Sequence, residues 1–124
     1  NNDHLKLIME LKGEIPKHMR KHNLQLNEGI YTHEYFNEQG QFLDFHEDPG
    51  DSSRSLITPM IVKKKRSVFD LFYKHFAESN ENILKGNSLS LLRQLSDLIE
   101  RMLAINPQKR ISVEDAFYHE FFQS

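Results

Sequence analysis

The chain has 124 residues, a formal charge of −2 and no cysteine. That length fits one ordinary domain or a piece of a larger one. These totals exclude a disulfide framework, a thiolate metal site and a cysteine nucleophile, and they give no global pull toward nucleic acid or anionic lipid.

No apolar run reaches membrane-spanning length, and the first residues do not read as a signal peptide. The chain opens directly on a helical pattern, NNDHLKLIMELKG. A first helix is predicted from about Asp3 to Leu11, with Asn2 or Asp3 as cap, because their side-chain oxygens accept from free N–H groups of the first turn. Leu5, Ile8, Met9 and Leu11 form its apolar stripe. Gly13 supplies a left-handed stop. Pro16 suits the first turn of a short helix, PKHMRKH. Residues 23–33 read as loop.

The stretch EYFNEQGQFLDFHED reads as a small hairpin, with Tyr35–Phe36 and Phe42–Phe45 flanking a turn at Gln39–Gly40. A lone hairpin is marginal in water, so it must lie on something else. Residues 46–55, HEDPGDSSRS, read as a polar, turn-rich loop. TPMIVKKKR is ambiguous between coil and extended chain. A helix is predicted from Ser67 to about Phe76, capped by Ser67, with Asp70 at the positive end of its dipole. AESNENILKGNS reads as a linker.

The strongest helical pattern is residues 88–105, where Leu91, Leu92, Leu95, Leu98, Ile99, Met102 and Leu103 make one broad stripe. Asn106–Pro107 is its expected stop, because a residue before proline avoids the helical region. Ser112 opens the last helix, with Asp115 three residues on and Ala116, Phe117, Phe121 and Phe122 on its apolar side. The long stripe must be fully covered to offset the cost of ordering its backbone, so a missing packing partner is expected.

Candidate chemistry is sparse. There is no glycine-rich phosphate loop, no G-x-S-x-G elbow and no H-E-x-x-H. Asp44-Phe45-His46 shares two letters with D-F-G but lacks the glycine. His18 and His22 would share a helix face, yet Lys17, Arg20 and Lys21 repel a cation and no third ligand is evident. Glu47, Asp48 and Asp51 lack the calcium-loop rhythm. Lys63–Arg66 could contact phosphate or serve nuclear import, and Ser52, Ser53 and Ser55 near Arg54 could accept phosphate; a solvated charged stretch and an exposed loop are the plainer readings.

One segment is more specific. LSDLIERMLAINPQKRISVEDAFYHEFF, residues 95–122, resembles the last subdomain of eukaryotic protein kinases. The family pattern runs D-L-[LI]-x-x-[ML]-L, then D-P-x-x-R-[IY]-[ST], then E-A-L-x-H-P-[FW]-F. Asp97-Leu98-Ile99 and Met102-Leu103 match its first part. Asn106, Pro107, Arg110, Ile111 and Ser112 fall on the second, and Glu114, Ala116, His119 and Phe122 on the third. Asn106 replaces Asp, Asp115 is inserted before Ala116, and Glu120 replaces Pro. Residues 1–19 are similar to the G helix of the CMGC kinases, most like the pre-mRNA-splicing (Prp-four) type, with the Clk and Dyrk families close by.

The resemblance implies a mainly α fold, the lower part of a kinase C-lobe with its G, H and I helices. Residues 1–124 would be a partial kinase domain, and 23–87 a CMGC-type insert containing the small hairpin. The parent would be a nuclear Ser/Thr kinase that uses ATP and Mg to phosphorylate proteins, spliceosomal ones among them. The chain itself would hold no catalytic, cofactor or metal residue and would be inactive alone. Arg110 would pair with the glutamate of the A-P-E motif in the activation segment, upstream of Asn1; without it, Arg110 would be hydrated or find a substitute. No membrane or nucleic-acid partner is expected, and exposed apolar helix faces would favour self-association. The alternatives are a non-catalytic helical interaction module or a pseudokinase tail, and, third, nucleic-acid binding through Lys63–Arg66.

Overall fold

The computed structural model describes residues 2–20, 35–79 and 85–123. Residues 1–64 and 65–124 form two separate compact units. Helices predominate, and the described strands form one two-stranded antiparallel sheet.

In the first unit, helix α1 spans Asn2–Lys12. Gly13, at φ 88°, ends it by donating its N–H to Met9 O at 2.7 Å. That backbone region carries a steric cost for any residue with a Cβ, which is why glycine sits there. Residues 17–20 are helical as expected after Pro16, whose carbonyl accepts from the N–H groups of Met19 and Arg20. The rest of that predicted helix and the predicted loop 23–33 fall outside the described residues.

The hairpin differs from expectation. Strand β1 is Phe42–Asp48 and strand β2 is Asp51–Met60, joined at Pro49–Gly50. The stretch 46–55, expected as loop, is therefore mostly strand. The reason is that its side chains are nearly all exposed, so no apolar alternation marks it, while cross-strand backbone pairing holds it from Phe42↔Met60 to Asp48↔Asp51. The anticipated turn at Gln39–Gly40 does form: Gly40, at φ 80°, donates to Asn37 O at 2.9 Å. Its flanks meet only at the isolated bridge Phe36↔Phe42.

Met9, Phe36, Phe42 and Val62 form the core of this unit, with Leu5, Ile15, Tyr35 and Met60 packed against it. Asn2 Nδ2 donates to Leu43 O at 2.9 Å, and Lys6 Nζ reaches Asp44 Oδ2 at 3.5 Å, so α1 is tied to β1 at two points. The hairpin thus lies on α1, as a marginal two-stranded ribbon requires.

In the second unit, helix α2 spans Val68–Ser79 and helix α3 spans Asn87–Met102. Ser67 caps α2, its Oγ accepting from Asp70 N at 3.0 Å. The Val68 N–H, another donor left free by the helix start, goes to Glu100 Oε1 at 3.0 Å and joins the two helices. Arg93 lies 4.6 Å over the Phe69 ring. Only Leu92 and Leu98 of the seven-residue apolar stripe are buried; Leu91, Met102 and Leu103 are exposed.

Helix α4, Val113–Phe117, and a single 3-10 turn, Glu120–Phe122, complete the unit. Ser112 caps α4 as expected, accepting from Asp115 N at 3.0 Å. Such a cap is worth about 1 kcal/mol.

Candidate functional site

The chain between α3 and α4 is built from the loose ends of α3. A helix leaves its last carbonyls without intrahelical donors. Here the returning loop supplies one: Ile111 N donates to Arg101 O at 3.2 Å, while just past the helix Arg110 Nε donates to Ala104 O at 3.0 Å. Helix α3 consequently stops at Met102, short of the expected Ile105.

Asn106 sets the reversal. Its Oδ1 accepts from Gln108 N at 3.0 Å, and its carbonyl accepts from Lys109 N and Arg110 N at 3.0 and 3.1 Å. An Asp oxygen could accept the Gln108 bond equally, so Asn in place of Asp leaves this turn intact. Pro107 follows at the position where its fixed φ favours a turn.

Arg110 is thereby aimed rather than loose. Besides Ala104 O, its Nη2 approaches Ile105 O at 3.4 Å. The residue is exposed, and among the described residues no carboxylate pairs with it. Its partners are two backbone carbonyls, Ala104 O and Ile105 O.

A second constellation lies beside this turn. His119 is almost fully buried, its side chain 7% exposed, and its Nε2 sits 2.7 Å from Asp97 Oδ2. Phe121 N donates to His119 Nδ1 at 3.1 Å. A ring nitrogen that accepts an N–H cannot carry a proton, so the ring is the Nε2–H tautomer and donates to Asp97. Arg101 Nε donates to the same Asp97 oxygen at 2.8 Å. Helix α3 and the 3-10 turn are locked together through one carboxylate.

The two donors, His119 first and Arg101 second, hold the Asp97 carboxyl below its ordinary value of 3.8. A depressed folded-state pKa stabilises above the unfolded value and is lost as pH falls through the folded one. The second unit therefore loses stability below pH 3.8 through this group, and Asp97→Asn flattens that part of the curve relative to wild type. Because the Asp97 side chain is 46% exposed, solvent screens the effect and it is modest. Denaturant unfolding of both forms between pH 2 and 6 (roughly the span of carboxylate titration) checks it; parallel curves would remove the assignment. His119 and Asp97 were both legible as motif letters, but nothing in their spacing signals that they touch.

The other candidates stay apart. Asp44-Phe45-His46 lies on β1, with Asp44 bonded to Lys6. His18 is exposed, and His22 lies outside the described residues. Asp48 accepts from Gly50 N, while Asp51 accepts from Ser53 N and Oγ. Among the described residues no group of His, Asp and Glu could hold a metal ion. Lys63–Arg66 is exposed chain without regular structure. Among the described residues no helix is long and apolar enough to cross a membrane.

In sequence pattern, the order of helix, asparagine–proline turn, arginine and capped helix resembles the last subdomain of protein kinases. The chain is 28% identical over 124 residues to the Serine/threonine-protein kinase prpf4B of Dictyostelium discoideum, a match covering 99% of this chain and 14% of that protein. It is 25% identical over 122 residues to the Serine/threonine-protein kinase prp4 of Schizosaccharomyces pombe, covering 98% of this chain and 23% of that one. The chain resembles Prp4-type Ser/Thr kinases along nearly its whole length and spans less than a quarter of the kinases it matches. No family model matches it.

Proposed function

We propose that the chain is the end of the catalytic domain of a Ser/Thr protein kinase whose complete form transfers the γ-phosphoryl group of ATP to protein hydroxyls. ATP and magnesium are bound by parts of the parent outside this chain. The substrates are pre-mRNA splicing proteins, a reading that the likeness to Prp4-type kinases supports, and the site of action is the nucleus. Residues 23–87 are an insert between the G and H helices.

The observation that carries the reading is the Arg110 turn. It presents a guanidinium held by two carbonyls and left without a carboxylate among the described residues. In the complete kinase this group meets the glutamate that anchors the activation segment. The chain's contribution is mechanical: it supports that segment and offers protein-docking surface. Alone, its exposed Leu91, Met102, Phe117 and Phe122 favour self-association.

Phosphoryl transfer tests the proposal. The complete protein containing residues 1–124, given Mg-ATP and a mixture of spliceosomal proteins, is expected to label Ser and Thr on them. The 124-residue chain under the same conditions is expected to label nothing. Absence of labelling by the complete protein, where another Ser/Thr kinase labels the same mixture, overturns the reading.

A further inference from the structure

The hairpin carries a feature that kinase architecture does not absorb. Thr58 is followed by Pro59, and both lie on β2 with exposed side chains. Among the described residues β2 is paired on one side only. An exposed acceptor hydroxyl in extended chain, followed by a residue with no N–H, is the local form a proline-directed kinase binds. The other hydroxyls of β2 lack one part of this. Ser52, Ser53 and Ser55 are not followed by proline, and Ser53 Oγ already donates to Asp51 Oδ1 at 2.6 Å. Thr58 Oγ1 has only a long contact, 3.5 Å, to His46 Nε2.

We propose that Thr58 is a phosphorylation site for a proline-directed kinase. Thr58 Oγ1 forms a bond to the γ-phosphorus of ATP while the bond from that phosphorus to the β–γ bridging oxygen breaks. The hydroxyl proton passes to the modifying kinase's base, and ADP leaves.

The position gives the modification a consequence. Thr58 is directly opposite Asp44 in the ladder, and Asp44 is the carboxylate that Lys6 holds at 3.5 Å. A phosphate adds close to two negative charges and strong acceptor oxygens. It repels Asp44 across the strand and competes with it for Lys6. The tie between α1 and β1 weakens as a result, because like charges directly opposite destabilise a ladder.

The test incubates the folded 124-residue chain with a proline-directed kinase and Mg-ATP, then maps phosphate by peptide mass spectrometry. One phosphate on Thr58 is expected. It should be absent in Thr58→Ala, and slowed about tenfold or more in Pro59→Ala, since the kinase pocket selects the ring by shape and by its missing N–H. Deuterium uptake in residues 42–48 should rise about two- to fivefold on modification, and Lys6→Ala should abolish most of that rise. No incorporation overturns the proposal, as does phosphate confined to Ser52, Ser53 or Ser55. Labelling of Thr58 only after unfolding in urea overturns it too.

Discussion

Arg110→Ala in the complete protein is expected to lower its unfolding free energy by ~3–5 kcal/mol, the usual result of breaking one half of a buried ion pair. The loss comes mainly from the abandoned glutamate, which keeps its desolvation cost without its counter-charge. In the 124-residue chain the same change removes only two hydrogen bonds from an exposed side chain to Ala104 O and Ile105 O. There the cost should stay near ~1 kcal/mol. Arg110→Lys should recover little in the complete protein, because an ammonium cannot span two acceptors as a planar fork does. Thermal melts of both proteins measure the contrast. Unchanged melting of the complete Arg110→Ala protein would falsify the ion-pair role while leaving the loop geometry standing.

Phe42→Ala is expected to destabilise the first unit by ~3–5 kcal/mol, the range for deleting a buried aromatic ring. Phe42 is 1% exposed and sits edge-on to Phe36, with ring centroids 6.2 Å apart. That pairing adds ~0.5–1.5 kcal/mol beyond area burial. Among the described residues the core around it holds Met9, Phe36 and Val62 as its other buried members, so few of them are there to refill the cavity. Hydrogen exchange resolved by segment should show residues 2–12 and 42–60 losing protection together. Residues 87–102 belong to the other unit and should keep theirs. A change below ~1 kcal/mol would mean that the hairpin is not held by this core.

The helices were legible because their signals are local. Gly13, Ser67 and Ser112 each end or start a helix through a backbone angle or a side-chain oxygen within three or four residues, and each does so in the structure. The length of the hairpin is not legible in the sequence, for the opposite reason. Between His46 and Ser55 its ladder is made of backbone groups, and exposed side chains such as Glu47, Ser52 and Arg54 leave no period-two pattern to read. Helix α3 ends three residues earlier than its apolar stripe predicts. Asn106–Pro107 marks a turn, but the helix yields earlier, where the Ile111 N–H reaches back to the Arg101 carbonyl.

By itself the sequence determined the helical character, the capping residues and the kinase-like order of Asp97, Asn106–Pro107, Arg110 and His119. Each of these is written in residue type at short spacing. Only the tertiary structure decided that Asp97 takes donors from both Arg101 and His119, that Thr58 faces Asp44, and that Arg110 rests on Ala104 and Ile105. Those contacts depend on how the chain returns upon itself, and the direction of a donor across a turn is fixed by packing and backbone geometry rather than by any residue taken singly.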